Sequence, residues 1–252
     1  MRILVTGAAG YLAGFIVDLL AAEHELTLTD HVALPEDRRG HAFIQADITD
    51  YDAVAAACAG HDAVVHTVAL VRERFDKPPT LFADVMVKGT WNVAEACARH
   101  GVKRLVNISS VVAIGSPEDR SRPYRVGDAQ RFNEGDLFYC LAKHLGEEIG
   151  RAYHQAHGLS VVHIRPGIIA GDGLNREPVA PEDPNRPWFM HVLPVDVAGA
   201  VRGALESDVE YGAYHAVTAR RDGVYDFSET QRDLGHTANH NWPGIPEGEV
   251  NP

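Results

Sequence analysis

Short, almost wholly apolar runs alternate along this chain with longer stretches in which apolar residues return at helical spacing. Residues 3–5, 25–29, 42–46, 63–66, 105–108, 160–164 and 211–217 predict strands. Residues 10–20, a segment starting at Asp47 or Thr49 and running toward Cys58, and residues 80–100, 137–157, 196–206 and 228–234 predict helices. Gly101 is placed to end the helix before it, and Ser228 with Gln231 suggests a capping box. Strands alternating with helices in this way predict an α/β protein with a parallel sheet, and the apolar 63–66 run suits a strand buried on both faces. Residues 31–40, 115–136 and 171–187 are polar or rich in Gly and Pro, which predicts irregular structure. The 115–136 stretch is long enough for a substrate-facing excursion. Residues 241–252 predict a poorly ordered tail.

The first thirty residues organise the rest. Ile3, Leu4 and Val5 stop at Thr6 and Gly7, and a helix begins at Gly10. Gly7 permits a tight turn, Gly10 leaves room for a pyrophosphate at the backbone, and the helix amides favour its negative charge. Ala13 with Gly14 behind it supplies the small position that packs helix on strand. Asp30, at the end of the second strand, can accept hydrogen bonds from ribose hydroxyls, which favours NAD over NADP. Arg38 and Arg39 could hold a 2′-phosphate, but their distance from the strand end reads as a solvated loop. Asp47 and Ile48 stand where an adenine would be touched, and residues 66–69 lie at the ligand-binding edge of the sheet. Asn92 is either a solvent-facing side chain or an internal hydrogen-bonding group near the site.

Charge and cysteine content narrow the function. A net charge of -12 argues against non-specific nucleic-acid binding. The interrupted apolar start is no signal peptide, and no segment approaches a membrane span. Three cysteines in no metal or disulfide spacing fit a reducing, cytoplasmic setting, and His236 and His240 lack a third ligand, so no metal is expected.

Tyr139 and Lys143 share one face of a predicted helix, and they follow Ser109 and Ser110 at a strand end. A phenol ionises near pH 10, about three units too high for a base at neutral pH. An ammonium one helical turn away favours the phenolate. Ser110 could hold the substrate oxygen while the cofactor handles a hydride. Cys140, beside Tyr139, reads as a packed thiol.

On Thr6 through Gly10, Asp30, Asp47-Ile48, Asn92, Ser109-Ser110, Tyr139 through Lys143 and Arg165-Pro166-Gly167, the chain resembles the extended short-chain dehydrogenases/reductases, the NAD-dependent epimerase/dehydratase family. The resemblance implies a Rossmann-type doubly wound parallel sheet with a small C-terminal substrate-binding portion. Residues 1–170 would be mainly the dinucleotide-binding core and 171–252 mainly the substrate side and tail of one integrated domain. It implies Ser110, Tyr139 and Lys143 as catalytic residues. NAD would be held by Gly7, Gly10, Tyr11, Leu12, Asp30, Asp47, Ile48, Ala69, Asn92, Tyr139 and Lys143. Substrate would meet Ser110, Val111, Tyr139 and Arg165. A homodimer through the helices bearing Asn92 and Tyr139 is usual for the family.

Size and the segments 186–191 and 221–226 are most similar to uronate dehydrogenases, which oxidise a free hexuronate to its lactone. Arg165 would then clamp the sugar carboxylate or, alternatively, brace the strand end. Val111 and Val112 depart from that subgroup by making the wall after Ser110 more apolar. An epimerase or reductase acting on a nucleotide sugar or another carbonyl compound, and a non-catalytic NAD-binding regulator, are the alternative functions.

Overall fold

The computed structural model describes residues 1–71, 77–115, 122–128, 132, 134, 137–169, 190–219 and 223–240. Seven strands form one sheet, β1 (Arg2–Thr6), β2 (Glu25–Asp30), β3 (Ala42–Gln45), β4 (Ala63–His66), β5 (Arg104–Ile108), β6 (Ser160–Pro166) and β9 (Tyr211–Ala216). Their order is β3-β2-β1-β4-β5-β6-β9 and every pairing is parallel. The order reverses between β1 and β4, the point at which ligands bind in doubly wound sheets, at the strands' carboxyl ends. A further pair, β7 (Ile168–Ile169) with β8 (His191–Val192), was not expected from the sequence because two-residue strands carry no period.

Central strands are apolar on both faces because both are covered. On one face α1 (Tyr11–Leu20) and α6 (Pro194–Glu206) bury Ile16, Leu20, Val197 and Val201 against Ile3, Val5 and Val106. On the other, α2 (Tyr51–Cys58), α4 (Gly89–His100) and α5 (Leu137–His157) lie over Leu4, Val64, Leu105 and Val161. There Cys58 and Cys97 are buried thiols in contact, and burial pushes the Cys97 thiol well above its ordinary range. Thus the 190–216 stretch contributes α6 and β9 to the nucleotide-binding sheet itself, beyond any substrate-facing part.

Several expected boundaries move for local reasons. Asp50, rather than Asp47 or Thr49, caps α2, its carboxylate accepting from the amides of Asp52 and Ala53. α6 begins at Pro194, since proline is tolerated in the first turn where its missing amide would have no partner. The Ser228–Gln231 capping box does not form; Asp226 instead accepts from the Ser228 amide at 2.8 Å at the start of α7 (Ser228–Leu234). The 80–100 helix is three pieces, α3 (Pro79–Phe82), a π-helical segment (Ala83–Lys88) and α4. Gly101 ends α4 at φ 69°, the left-handed conformation that glycine adopts without strain. The expectations for residues 171–187 and 241–252, most of 115–136 and parts of the 186–191 and 221–226 segments lie outside the described residues.

Three histidines are enclosed as neutral rings. The His66 Nδ1 accepts from Thr6 at 2.7 Å and its Nε2 donates to Thr90, whose own hydroxyl is spent on the Met86 carbonyl. His163 Nδ1 accepts from Asn107, and His215 Nδ1 donates to the Asp226 carbonyl. Burial pushes His66 down to about 3 and His163 and His215 down to about 4. With native values below the unfolded one of about 6.5, their contribution is complete above that pH and is lost as pH falls toward 4. Unfolding free energy, measured by denaturant titration, should therefore drop from pH 7 to pH 5, each ring adding a slope of up to about 1.4 kcal/mol per pH unit. His163→Gln should reduce that slope by one proton's worth.

Candidate active site

The turn after β1 is shaped by what surrounds it. Gly7 sits at φ 71°, and a Cβ there would lie 2.8 Å from Thr67 Oγ1 and 3.0 Å from the Val68 amide. Both conformation and space therefore demand glycine. The Thr67 hydroxyl donates to the Thr6 carbonyl at 2.7 Å, tying the end of β4 across the turn. Gly10 caps α1 with no side-chain acceptor, and the positive end of the helix lies at the cleft, where an anion is favoured. Asp30, buried at the end of β2, accepts from the Ala9 amide at 2.9 Å and the Val32 amide at 3.3 Å. Its carboxylate is thereby held before any ribose arrives.

These groups open on a cleft of about 1080 Å³ at the switch point, lined by Gly7, Gly10, Asp30, Asp47, Ile48, Thr67, Ala69, Leu81, Val85 and Lys88 among others. Apolar Ile48, Leu81 and Val85 beside the Asp30 carboxylate, with the glycine turn at one end, fit an adenosine diphosphate half of NAD. Asp47 accepts the amide and hydroxyl of Thr49, each at 2.8 Å, and those donors hold its carboxyl below the usual range. Asn92 proves to be internal: its amide donates to the Ile48 carbonyl at 2.9 Å and fixes the cleft wall from behind. Gly89 lets that wall close, since a Cβ there would lie 2.9 Å from the Ile48 side chain. Tyr11 and Leu12 belong to the first turn of α1, where Tyr11 packs edge-on against Phe15 and Leu12 leans on the core.

The second half of the site gathers at the end of β5. Ser110 caps a 3-10 turn (Val111–Ile114), its Oγ accepting from the Val112 amide at 3.4 Å. On α5 the Lys143 ammonium donates to the Ile108 carbonyl at 2.6 Å and stands 6.0 Å from the centre of the Tyr139 ring. Burial lowers the Lys143 pKa to about 8, and Glu147, one turn further along, works against that fall. Val111 is buried with Tyr124, Val217, Val224 and Tyr225, an apolar cluster just behind the serine.

Arg165 is the residue whose role the structure narrows. Its guanidinium forks onto the Glu147 carboxylate at 2.8 and 2.6 Å and gives its remaining arm to the Val126 carbonyl at 2.9 Å. Of the two roles left open by the sequence, this is the bracing one. Ser109 donates to the same carboxylate at 2.5 Å, so one buried group ties β5, α5 and β6 together. Burial pushes the Glu147 carboxyl up, but Arg165 and Ser109 outweigh it and hold the group ionised. Glu147 went unmarked in the sequence reading although it continues the Tyr139, Lys143 spacing by four; that period was the available signal. Arg38, expected in a solvated loop, is instead buried and donates to the carbonyls of Ala8 and Gly10, while Arg39 remains outside beside Glu36. Removing one partner of the buried pair should be costly: Glu147→Met is expected to lose about 3–5 kcal/mol of unfolding free energy. The double change Glu147→Met with Arg165→Met should recover most of it, as read from denaturant titration.

Comparison with known proteins agrees with this architecture. The NAD dependent epimerase/dehydratase family profile matches residues 3–225. The chain is 30% identical over 258 residues to an L-arabinose 1-dehydrogenase (NAD(P)(+)) of Haloferax volcanii, covering 98% of this chain and 99% of that one. It is 32% identical to a uronate dehydrogenase of Pseudomonas syringae pv. tomato, covering 69% of this chain and 62% of the relative. A uronate dehydrogenase variant from Agrobacterium tumefaciens, solved with NAD, superposes with a TM-score of 0.77 at 25% identity over 95% of this chain and 85% of that one. With the glycine turn, the ribose carboxylate and the Tyr139–Lys143 pair in the family's order, the chain belongs to the NAD dependent epimerase/dehydratase family.

Proposed function

We propose that this protein is an NAD-dependent dehydrogenase that oxidises the anomeric carbon of a free sugar or sugar acid to the lactone. The observation that carries the reading is the Lys143 ammonium held beside Tyr139 by the Ile108 carbonyl, at the end of the strand that delivers Ser110. NAD, when bound, supplies the acceptor for the C1 hydride. Tyr139 removes the proton of the anomeric hydroxyl, Ser110 holds that oxygen, and the Lys143 charge favours the phenolate. The hydrogen on C1 leaves with its bonding electron pair as hydride while the electrons of the broken O–H bond close the C1–O double bond, so the carbon ends as the lactone carbonyl and no covalent bond to the protein forms.

Among substrates, a neutral aldose is favoured over a hexuronate. Both arms of Arg165 that could clamp a carboxylate are committed to Glu147, and the relative matched along its full length acts on L-arabinose. The apolar cluster behind Ser110 supports the same choice. In this proposal residues 1–170 are mainly the cofactor side, and residues 171–252, apart from α6 and β9 of the sheet layer, mainly the substrate side and tail, joined by the 115–136 stretch. Asp30 favours NAD over NADP, whose 2′-phosphate would meet its charge. The buried Cys58 and Cys97 thiols support a cytoplasmic setting. Among the described residues no helix is long and apolar enough to cross a membrane.

A homodimer is also part of the proposal. Phe138, Leu141 and Leu145 stand 45%, 40% and 37% exposed along α5, and Trp91 on the adjoining α4 is 56% exposed. So large an apolar stripe on two neighbouring helices suits a second copy of the chain. Light scattering should return twice the chain mass, and Leu145→Arg should return the monomer.

Turnover is tested by absorbance of reduced nicotinamide with L-arabinose, other neutral aldoses, galacturonate, glucuronate and UDP-sugars. NADH should accumulate with a neutral aldose and fall by about a hundredfold or more in Tyr139→Phe, the scale of a lost general base. Isomerisation of a UDP-sugar without net NADH would instead assign the epimerase reaction, and binding of NAD without turnover of any substrate would assign the regulator.

A further inference from the structure

We propose that Arg38 is a positioning residue of the diphosphate-binding turn, a buried guanidinium that braces two peptide units of the turn and sets a positive charge behind the place of the phosphates. The inference rests on the cleft taking NAD and concerns how it does so.

Arg38 ends a 3-10 turn (Glu36–Arg38) well beyond β2, yet only 8% of its surface is exposed. One arm, Nη1, donates to the Ala8 carbonyl at 2.5 Å and to the Gly10 carbonyl at 2.7 Å. Room for the fork comes from Gly14 in α1, where a Cβ would stand 2.6 Å from Nη2 and 3.1 Å from Cζ. Gly14 therefore does more than let helix pack on strand; it opens the socket for the guanidinium. Among the described residues, the exposed Asp37 stands within ion-pair distance, with 3.7 Å between its oxygen and Arg38 Nε. The hydrogen bonds of this buried guanidinium go to two peptide carbonyls of the turn, so its charge lies directly beneath it.

Those two carbonyls are not arbitrary. The Ala8 carbonyl shares its peptide unit with the Ala9 amide, which donates to Asp30 Oδ2 at 2.9 Å. The Gly10 carbonyl shares its unit with the Tyr11 amide, the first of α1. Hydrogen bonding at a carbonyl polarises its peptide group and strengthens the amide on the other side. One guanidinium thus fixes the Ala8–Ala9 peptide unit and the first peptide unit of α1 and sets its own charge behind the turn, an effect that a diphosphate feels and a neutral nucleoside does not.

The test compares NAD, ADP and adenosine by isothermal titration calorimetry on the wild-type protein, Arg38→Met, Arg38→Lys and Gly14→Ala. In Arg38→Met the Kd for NAD and ADP should rise about tenfold or more while that for adenosine changes less than about threefold. Arg38→Lys, which keeps the charge and loses the fork, should recover part of the loss. Gly14→Ala leaves every charge in place but crowds the fork out of its socket, so it should weaken NAD and ADP in the same selective way, and it carries the test if Arg38→Met does not fold. Equal losses for all three ligands, or no loss in Gly14→Ala and Arg38→Lys together, would overturn the proposal. Failure of the wild-type protein to bind NAD at all would instead strike the cofactor reading, so the two failures are told apart.

Discussion

The structure hangs on an ion pair that solvent barely reaches. Glu147 from α5 and Arg165 from β6 face each other where the sheet meets the second half of the site, and Ser109 at the end of β5 completes the set. A pair buried this deeply gains little over well-packed apolar side chains, but its directional hydrogen bonds fix which atoms meet. Here they fix the end of β5 against α5. The serine that would hold a substrate oxygen and the helix that carries tyrosine and lysine are therefore set in one relation rather than several.

The cofactor half follows a different rule. There the backbone is the ligand-facing surface, and side chains act on it from behind. Thr67 pins the turn from β4, Asn92 pins the Ile48 carbonyl, and Gly89 lets that wall approach. Such indirect support leaves amides, small residues and apolar groups on the cleft wall beside a few charged side chains, Asp30, Asp47 and Lys88 among them.

What could be read from the sequence was what depends on local spacing. The apolar runs located the central strands, because a strand buried on both faces must be apolar almost throughout, and β3, exposed at all four positions, was still marked by its short run of apolar residues. Tyr139, Lys143, Asp30 and the glycine turn stood out for the same reason: their chemistry requires fixed intervals. The residues whose roles spacing could not decide are those whose meaning lies in contacts made far along the chain. Arg38 looks like any loop arginine until Gly14 is seen to make space for it, and Arg165 could have reached for ligand or protein until Glu147 was placed opposite. Short strands such as β7 and β8, and a helix start moved by one proline, fall below what periodicity can resolve.

The π-helical segment between α3 and α4 has a consequence of its own. A turn closed by i→i+5 bonds holds one residue more than an α-turn, so everything after it is rotated by about 100° relative to an uninterrupted helix. Gly89 and Asn92 come immediately after the segment, and both face Ile48. The wide turn thus sets the rotational phase of α4, and chain length here is as binding as residue identity. Deleting a single residue from Ala83–Lys88 would restore a regular helix and swing Asn92 off the cleft wall, whereas substitutions at its exposed positions Ala83, Asp84 and Lys88 would leave it in place.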